Sequence, residues 1–253
     1  MLEIQEKISQ GHFGKVYNGS YNKKKCALKF IHIQSYCDEE IHIMNKLKNG
    51  KHIVTILYHG VIDEYAIIAM ELLKKDLYNV VIEHKFLDET YAHQIFLQML
   101  DGLNFMHNLR IVHRDLKLEN CMLDFTDTIK WCDFGFARDM KDSTQSNRKC
   151  GSKSYCAPEI LRGHTYNPFY SDVWSIGVCL FTMLEGYFPF EEASNFDYRY
   201  FQYKDDIKKI STYYTHKSQI GNPQLINLLN SLLCKTPEHR LSCQEIKKHS
   251  WII

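Results

Sequence analysis

Apolar residues fall in short alternating or continuous stretches over the first seventy or so positions, and at intervals of three and four from about residue 76 onward. The first pattern predicts strands and the second helices, because side chains alternate faces along a strand and return to one face with each turn of a helix. Ile4-Gln5-Glu6-Lys7-Ile8 alternates, Lys15-Val16-Tyr17 follows a glycine-containing loop, and Cys26-Ala27-Leu28-Lys29-Phe30-Ile31 reads as a buried strand. Residues 53–57 and 65–70 predict two more strands. One helix interrupts them. Asp38 is placed to cap a segment carrying Ile41, Met44 and Leu47 on neighbouring faces, and Asn49-Gly50 supplies the stop.

The second half of the pattern begins with Asp88 as the cap of a long helix, whose face carries Tyr91, Ile95, Met99, Leu103 and Met106. Further helices are expected over about 170–185 and after Asn222-Pro223, a cap followed by proline in the first turn. Strands first and helices afterwards predict an α+β chain with two lobes: a small β-rich lobe over about 1–70, a connector over about 71–75 and a mainly helical lobe over about 76–253. The cleft between such lobes is the natural place for a site.

Composition narrows the class. With 253 residues, 45% hydrophobic and 24% charged, the chain can bury a sizeable core. A net charge of +1 argues against a surface built to coat nucleic acid. No apolar run reaches the roughly 18–20 residues that span a bilayer, and the acidic N-terminus has no apolar signal core, so secretion is not expected. Nine cysteines, an odd number without C-x-x-C pairs, predict reduced thiols in the cytoplasm or nucleus rather than a disulfide framework or a zinc site. The histidines show no ligand spacing and are assigned no metal.

Several segments carry chemistry. In Ser9-Gln10-Gly11-His12-Phe13-Gly14-Lys15-Val16 the glycines would let backbone N–H groups approach phosphate oxygens, although a plain hairpin turn reads the same way. Lys29, in the apolar run Ala27-Leu28-Lys29, is costly unless it meets an anion or reaches solvent from an edge. Glu40 is the candidate partner because it shares a helix face with Met44; Glu39, on the face of Ile43, is the second choice. In His113-Arg114-Asp115-Leu116-Lys117-Leu118-Glu119-Asn120, Asp115 can accept a hydroxyl proton, Lys117 can neutralise a transferring phosphoryl group and Asn120 can hold a metal ion. Asp133, in Asp133-Phe134-Gly135, supplies a carboxylate suited to magnesium. Acid, cation and amide within six residues, with a further acid thirteen residues on, argue against a merely solvated charged loop.

Together these segments resemble the signature set of the eukaryotic protein kinase family, over essentially the whole chain, and the roles given to their residues are what that resemblance implies. Gly151-Ser152-Lys153-Ser154-Tyr155-Cys156-Ala157-Pro158-Glu159 is similar to that family's substrate-positioning loop and its Ala-Pro-Glu end. Asp172 resembles the aspartate that anchors the catalytic loop, and Arg240 the arginine that pairs with Glu159. Lys117, and Ser152 able to bridge it to Asp115, match the serine/threonine type. The segment around Lys117, the Gly-Ser-Lys-Ser-Tyr-Cys-Ala-Pro-Glu stretch and Met183-Leu184-Glu185-Gly186-Tyr187-Phe188-Pro189-Phe190 are similar to the calcium/calmodulin-dependent kinase group, which includes checkpoint, AMP-activated and testis-specific kinases.

The resemblance implies ATP and magnesium, with manganese as an alternative ion, acting on serine or threonine of protein substrates. It implies a monomer without nucleic-acid or membrane partners and names no regulatory partner. A pseudokinase that binds nucleotide without turnover is the main rival, but Lys29, Asp115, Asn120 and Asp133 are all present. A lipid or metabolite kinase is disfavoured by the intact substrate loop. By position, Ser9, Gly11 and Gly14 would cover the phosphates, and Val16, Ala27 and Met122 would sandwich the adenine. Met70 would stand at the back of that site, with Glu71 and Leu73 supplying connector backbone bonds. Cys132 is either a small buried hydrophobe or a thiol within reach of ligands. Met44, Ile56, His113 and Phe134 are expected to stack between the lobes. Asp76 and Glu119 resemble acids that select a basic residue upstream of the target; alternatively Asp76 only bonds the ribose and Glu119 is solvated. The aromatic run Phe196, Tyr198, Tyr200, Phe201 and Tyr203 is either core or a docking surface.

Two departures from the pattern and one switch complete the reading. Ser9 replaces the first loop glycine. Lys29 and Glu40 are only eleven residues apart, which shortens the intervening helix and casts doubt on their ion pair. Arg114 beside Asp115 is expected to bind a phosphate on the activation segment with Lys130 or Arg138, the candidates being Ser143, Thr144 and Ser146.

Overall fold

The computed structural model describes residues 2–11, 14–35, 38–203, 205–211 and 220–253. The tip of the glycine loop, His12 and Phe13, lies outside them.

Five antiparallel strands open the fold: β1 (Leu2–Gly11), β2 (Gly14–Tyr21), β3 (Lys24–His32), β4 (Ile56–Ile62) and β5 (Tyr65–Glu71). Their order is β1-β2-β3-β5-β4. The run around Leu28 fills the centre of this sheet: Cys26 and Leu28 have no solvent exposure and pack with Ile67 and Ala69. Ile4 and Ile8, in contrast, stay about half exposed, because β1 is an edge strand and Ile8 faces an open cleft. Gly14 closes the β1–β2 hairpin at φ +144°, where a Cβ would stand 2.2 Å from the Phe30 carbonyl oxygen; only glycine fits there.

Helix α1 (Asp38–Leu47) packs beneath the sheet through Ile41, Ile43, Met44 and Leu47. Asp38 is its first residue rather than its cap. The strand expected over 53–57 is displaced. Ile53 bridges in parallel to Trp131, Val54 N–H donates to the Trp131 carbonyl, and Trp131 N–H donates to the His52 carbonyl. These residues are apolar because they tie the two lobes together, and the strand itself starts at Ile56.

After the connector, β6 (Lys75–Asp76) leads into α2 (Leu77–His84), a helix the apolar spacing did not announce. Asp76 caps it, accepting from Asn79 N–H at 2.8 Å. Helix α3 (Glu89–Asn108) starts at the Asp88 cap, and its predicted stripe from Ile95 to Met106 is buried. Short strands β7 (Ile111–Val112), β8 (Cys121–Leu123), β9 (Ile129–Trp131) and β10 (Arg138–Asp139) carry the polar loops. They pair as β10-β7 and β6-β8-β9. Helices α4 (Pro158–Arg162), α5 (Pro168–Glu185), α6 (Tyr198–Tyr203), α7 (Lys208–Ser211), α8 (Pro223–Leu232) and α9 (Cys243–Ile246) complete the bilobal α+β fold. Helix α5 is buried continuously from Ser171 to Glu185, which makes it the axis of the second lobe and a rigid base for the loops above it. Asn222 caps α8 with Pro223 in its first turn. No helix among the described residues is long and apolar enough to cross a membrane.

Candidate active site

A cleft of about 590 Å³ runs between the sheet and the helical lobe, within the size range of nucleotide and cofactor sites. Its roof is Ser9, Gly14, Val16, Ala27 and Lys29; its back and connector wall are Met70, Glu71 and Leu73. Asp115, Lys117, Asn120, Met122, Asp133 and Ser152 form the floor. Gly11 pairs with Gly14 across the hairpin that overhangs it. Ile8 also lines the cleft. Sequence reasoning passed it over, although an apolar residue just before a glycine loop is a usable signal for a roof over a flat ring.

Lys29 projects from β3 and is 6% exposed. Its ammonium lies 2.6 Å from Glu40 Oε1 on α1 and 2.9 Å from Asp133 Oδ1. The pair therefore forms despite the short helix. Burial opposes the lysine's charge, but the two carboxylates outweigh it and push its pKa up. Burial likewise pushes the Asp133 carboxyl up, and the neighbouring lysine more than reverses this, so Asp133 stays ionised. Glu39 turns the other way and pairs with Arg138 at 2.6 Å.

The floor is set by α5. Asp172, 1% exposed, accepts from His113 N–H and Arg114 N–H at 2.9 Å each. His107 Nε2 lies 3.1 Å from the same carboxylate. This anchorage holds Arg114 at φ +64°, and Asp133 sits at φ +59°. Left-handed backbone at two non-glycine residues costs energy and persists where surrounding contacts fix it. The result is a tight polar cluster. Asp115 Oδ1 accepts from Ser152 N–H at 2.8 Å and Ser152 Oγ at 2.9 Å, and its other oxygen lies 2.8 Å from the Lys117 ammonium. Lys117 also donates to Ser152 Oγ at 2.8 Å.

Asn120 points both N–H groups at Asp115, donating to its backbone carbonyl at 2.9 Å and its carboxylate at 3.1 Å. The amide oxygen of Asn120 can accept, and the Asp133 carboxylate, bonded to Lys29 through Oδ1 and also held by the Gly135 N–H, brings a second oxygen. Two oxygen donors of this kind fit a hard divalent cation that completes its shell with water and phosphate oxygens. Among the described residues no three His, Cys, Asp or Glu side chains converge as an all-protein metal site.

The activation segment departs from expectation. Arg114 is buried and its Nε donates to the Phe136 carbonyl at 2.7 Å. Lys130 faces the connector instead, 3.4 Å from Glu71, and Arg138 is taken by Glu39. Neither Lys130 nor Arg138 therefore stands with Arg114 as expected for a phosphate. Ser143 and Thr144 are exposed, whereas Ser146 exchanges backbone hydrogen bonds with Tyr166 at 2.8 Å.

Farther out, Arg240 holds Glu159 with two bonds, 2.6 and 2.8 Å, both residues being buried. Both Asp76 carboxylate oxygens engage Asn79, and Glu119 accepts from the buried Tyr155 hydroxyl at 2.9 Å. Cys132 lines the cleft but is 8% exposed, and burial pushes its thiol pKa up, so it remains a protonated hydrophobe. Met44, Ile56 and Phe134 share one apolar cluster, and the His113 ring stands 5.1 Å from that of Phe134. The aromatic run divides: Tyr200 and Tyr203 are core, while Phe196, Tyr198 and Phe201 are exposed.

Residues 2–252 match the family model described as protein kinase domain. The chain is 31% identical to the serine/threonine-protein kinase SRK2C of Arabidopsis thaliana, over 99% of this chain and 75% of that protein. It is 30% identical to the protein kinase domain-containing protein ppk9 of Schizosaccharomyces pombe, over 97% of this chain and 46% of that protein. It is 31% identical to human NUAK family SNF1-like kinase 1, over 99% and 38%. The chain thus spans less than half the length of ppk9 and of the human protein.

Proposed function

We propose, for a chain that belongs to the protein kinase family and to its serine/threonine type within the calcium/calmodulin-dependent-kinase-like group, that this cleft transfers the γ-phosphoryl group of magnesium-bound ATP to a serine or threonine hydroxyl of a protein. The observation that carries this reading is the Asp115–Ser152–Lys117–Asn120 cluster sharing the floor of one cleft with Asp133, beneath Lys29.

Bound with its divalent ion, ATP supplies an electrophilic terminal phosphorus whose charge the cation partly neutralises. Everything else falls to the chain's own residues. Lys29, kept charged by Glu40 and Asp133, offers a fixed cation to phosphate oxygens. Asp133 and the amide oxygen of Asn120 would hold the ion. Asp115 accepts the proton of the incoming hydroxyl, with Ser152 fixing its orientation. Lys117, bonded to Ser152 and Asp115, places positive charge where the phosphoryl group passes. Val16, Ala27, Met70 and Met122 bury the adenine by apolar contact.

Glu119 supports a preference for a basic residue upstream of the target, since it lies at the cleft with its carboxylate steadied by Tyr155. Asp76 contributes less, both of its oxygens being engaged in the α2 cap.

The test is turnover of radiolabelled ATP on a degenerate serine/threonine peptide library, with magnesium or manganese, beside Asp133→Asn. Label transfer by the wild type that vanishes in the variant supports the assignment. ATP binding without transfer, under conditions where the wild type is folded, overturns it in favour of a non-catalytic nucleotide binder.

A further inference from the structure

The two faces of the five-stranded sheet differ in character. Helix α1 packs beneath one of them. The other carries a small cluster of its own, Cys26, Leu28, Ile67 and Ala69 with half-buried aromatic rings around them, and every member of that cluster comes from the sheet itself. Register fixes what stands there, because residues paired across antiparallel strands share a face and alternate residues of one strand return to it. Tyr17 pairs with Leu28, and Tyr21 and Phe30 share that face by alternation. Tyr58 joins through its partner Ala69, and Tyr65 through His32.

These rings contact one another. Tyr17 meets Phe30 edge to face at 5.3 Å, Phe30 meets Tyr65 at 6.2 Å, and Tyr21 stacks on Tyr58 at 4.9 Å. Gly60 has no Cβ to lift the Tyr58 ring off the sheet. Tyr17, Tyr21, Phe30 and Tyr58 are half-buried and Tyr65 is 38% exposed, so the floor is fixed but open to solvent.

Three lysines each stand opposite one of these rings on the neighbouring strand: Lys7 opposite Tyr17, Lys15 opposite Phe30 and Lys24 opposite Tyr21. All three are exposed and, among the described residues, none has an ion pair; Lys7 donates to Gln10 at 2.6 Å. The acids of β1 turn to the other face. Glu3 accepts from Ser20 Oγ at 2.9 Å and Glu6 from Asn18 Nδ2 at 3.0 Å, and both partners alternate with the rings of β2. Glu64 stands at the β4–β5 end, 3.7 Å from His32, and Glu71 at the connector end is engaged by Thr55 N–H and Lys130. The net charge of +1 averages over this segregation.

Rings alternating with unpaired cations are complementary to a polymer that repeats a flat ring and an anion. The bases of a single strand can stack on side-chain rings while ammonium groups follow its phosphates. A duplex keeps its bases paired and stacked inside, and an acidic peptide offers the rings no flat partner. We infer that this outer face binds single-stranded nucleic acid, its rings stacking on bases and its lysines following the phosphates. It lies on the opposite side of the sheet from Val16, Ala27 and Lys29, so it and the nucleotide cleft can be filled together.

The test reads anisotropy of fluorescein-labelled oligouridine and oligodeoxythymidine of about 12 nucleotides, within the site sizes of single-strand binders, and of a duplex of equal length, on the full chain. The wild type is expected to bind the single strands saturably and the duplex several-fold more weakly. Tyr21→Leu with Tyr65→Leu, which keeps apolar volume and removes two rings, is expected to weaken single-strand binding on the order of tenfold. Lys7→Gln with Lys24→Gln, both exposed positions, is expected to flatten the slope of log affinity against log salt by about 0.7 per lysine. The lysine pair decides the matter if the ring variant melts early. No saturable binding of either single strand by the wild type would overturn the inference, as would an unchanged affinity and salt slope in the lysine pair. Displacement by polyglutamate or by anionic phospholipid vesicles as efficient, at equal charge, as by unlabelled oligouridine would also overturn it and assign the face to an acidic partner or a membrane surface.

Discussion

Arg138 and Glu39 meet at 2.6 Å, joining the strand that follows Asp133 to the helix that carries Glu40. Two turns further along that helix, Lys46 reaches Asp139 at 2.8 Å. These two pairs clamp α1 to β10, and β10 pairs with β7 just ahead of the catalytic loop. A short helix is thereby held in register with the site by side chains rather than by length.

Reversing one charge of this clamp is expected to slow turnover with little loss of stability. The Glu39–Arg138 pair is partly exposed, so it is worth at most about 1 kcal/mol, and Glu39→Arg should cost up to roughly fivefold in kcat. Glu39→Arg combined with Arg138→Glu should recover most of it. A double-mutant cycle on kcat checks this, and additive losses would count against the clamp.

The separate engagement of Arg114, Lys130 and Arg138 has its own consequence. With Arg114 already bonded to the Phe136 carbonyl, the segment is expected not to depend on phosphate for order. Replacing Ser143, Thr144 and Ser146 together by alanine is expected to preserve peptide turnover. Loss of turnover in that triple variant, with phosphate found there by mass spectrometry in the active wild type, would refute it.

Gly151→Ala should impair catalysis more than folding. At φ +103° its Cβ would stand 2.8 Å from the Arg114 carbonyl oxygen, and the next residue is Ser152, which orients Asp115. Strain of about 1–3 kcal/mol displaces that hydroxyl, so kcat should fall on the order of tenfold to a hundredfold. Steady-state kinetics beside a melting curve separates the two effects.

His107 gives the fold a pH dependence. Burial pulls its imidazole down, but the bonds to Asp172 and Cys243 prevail and set its pKa at about 9, against 6.5 for a free histidine. A pKa raised in the folded state stabilises fully below the unfolded value and loses that contribution as pH climbs through the folded one. The stability gap between wild type and His107→Gln should therefore be largest below about pH 6.5, on the order of 3 kcal/mol, and shrink by about pH 9–10. Urea denaturation across that range measures it; a gap that widened with pH would contradict a protonated His107.

Arg240→Met should be among the most destabilising single changes. It strands the Glu159 carboxylate in a buried site, where losing one partner costs about 3–5 kcal/mol. Denaturant midpoints should show a large loss, relieved in part when Glu159→Gln is added.

Much of this protein was legible before folding was considered. Phosphoryl chemistry needs a proton acceptor, cations and oxygen ligands, and the resemblance to the kinase signature set implies those roles for Lys29, Asp115, Lys117, Asn120 and Asp133. The Asp88 and Asn222 caps and the stripe along α3 were equally readable, because helix starts and faces are local properties. Other features are decided by contacts between distant segments, which no local pattern encodes. Residues 53–57 read as one strand, yet Ile53 and Val54 fasten to Trp131 of β9 and the strand starts only at Ile56; Asp76 looks like a binding acid and caps α2; Arg138 and Lys130, read as phosphate ligands, are claimed by Glu39 and Glu71. The sequence by itself determined which chemistry the chain can perform. The tertiary structure alone decided which charges neutralise one another and which are left for a substrate, because an ion pair forms between whichever side chains the packed lobes bring within about 3 Å.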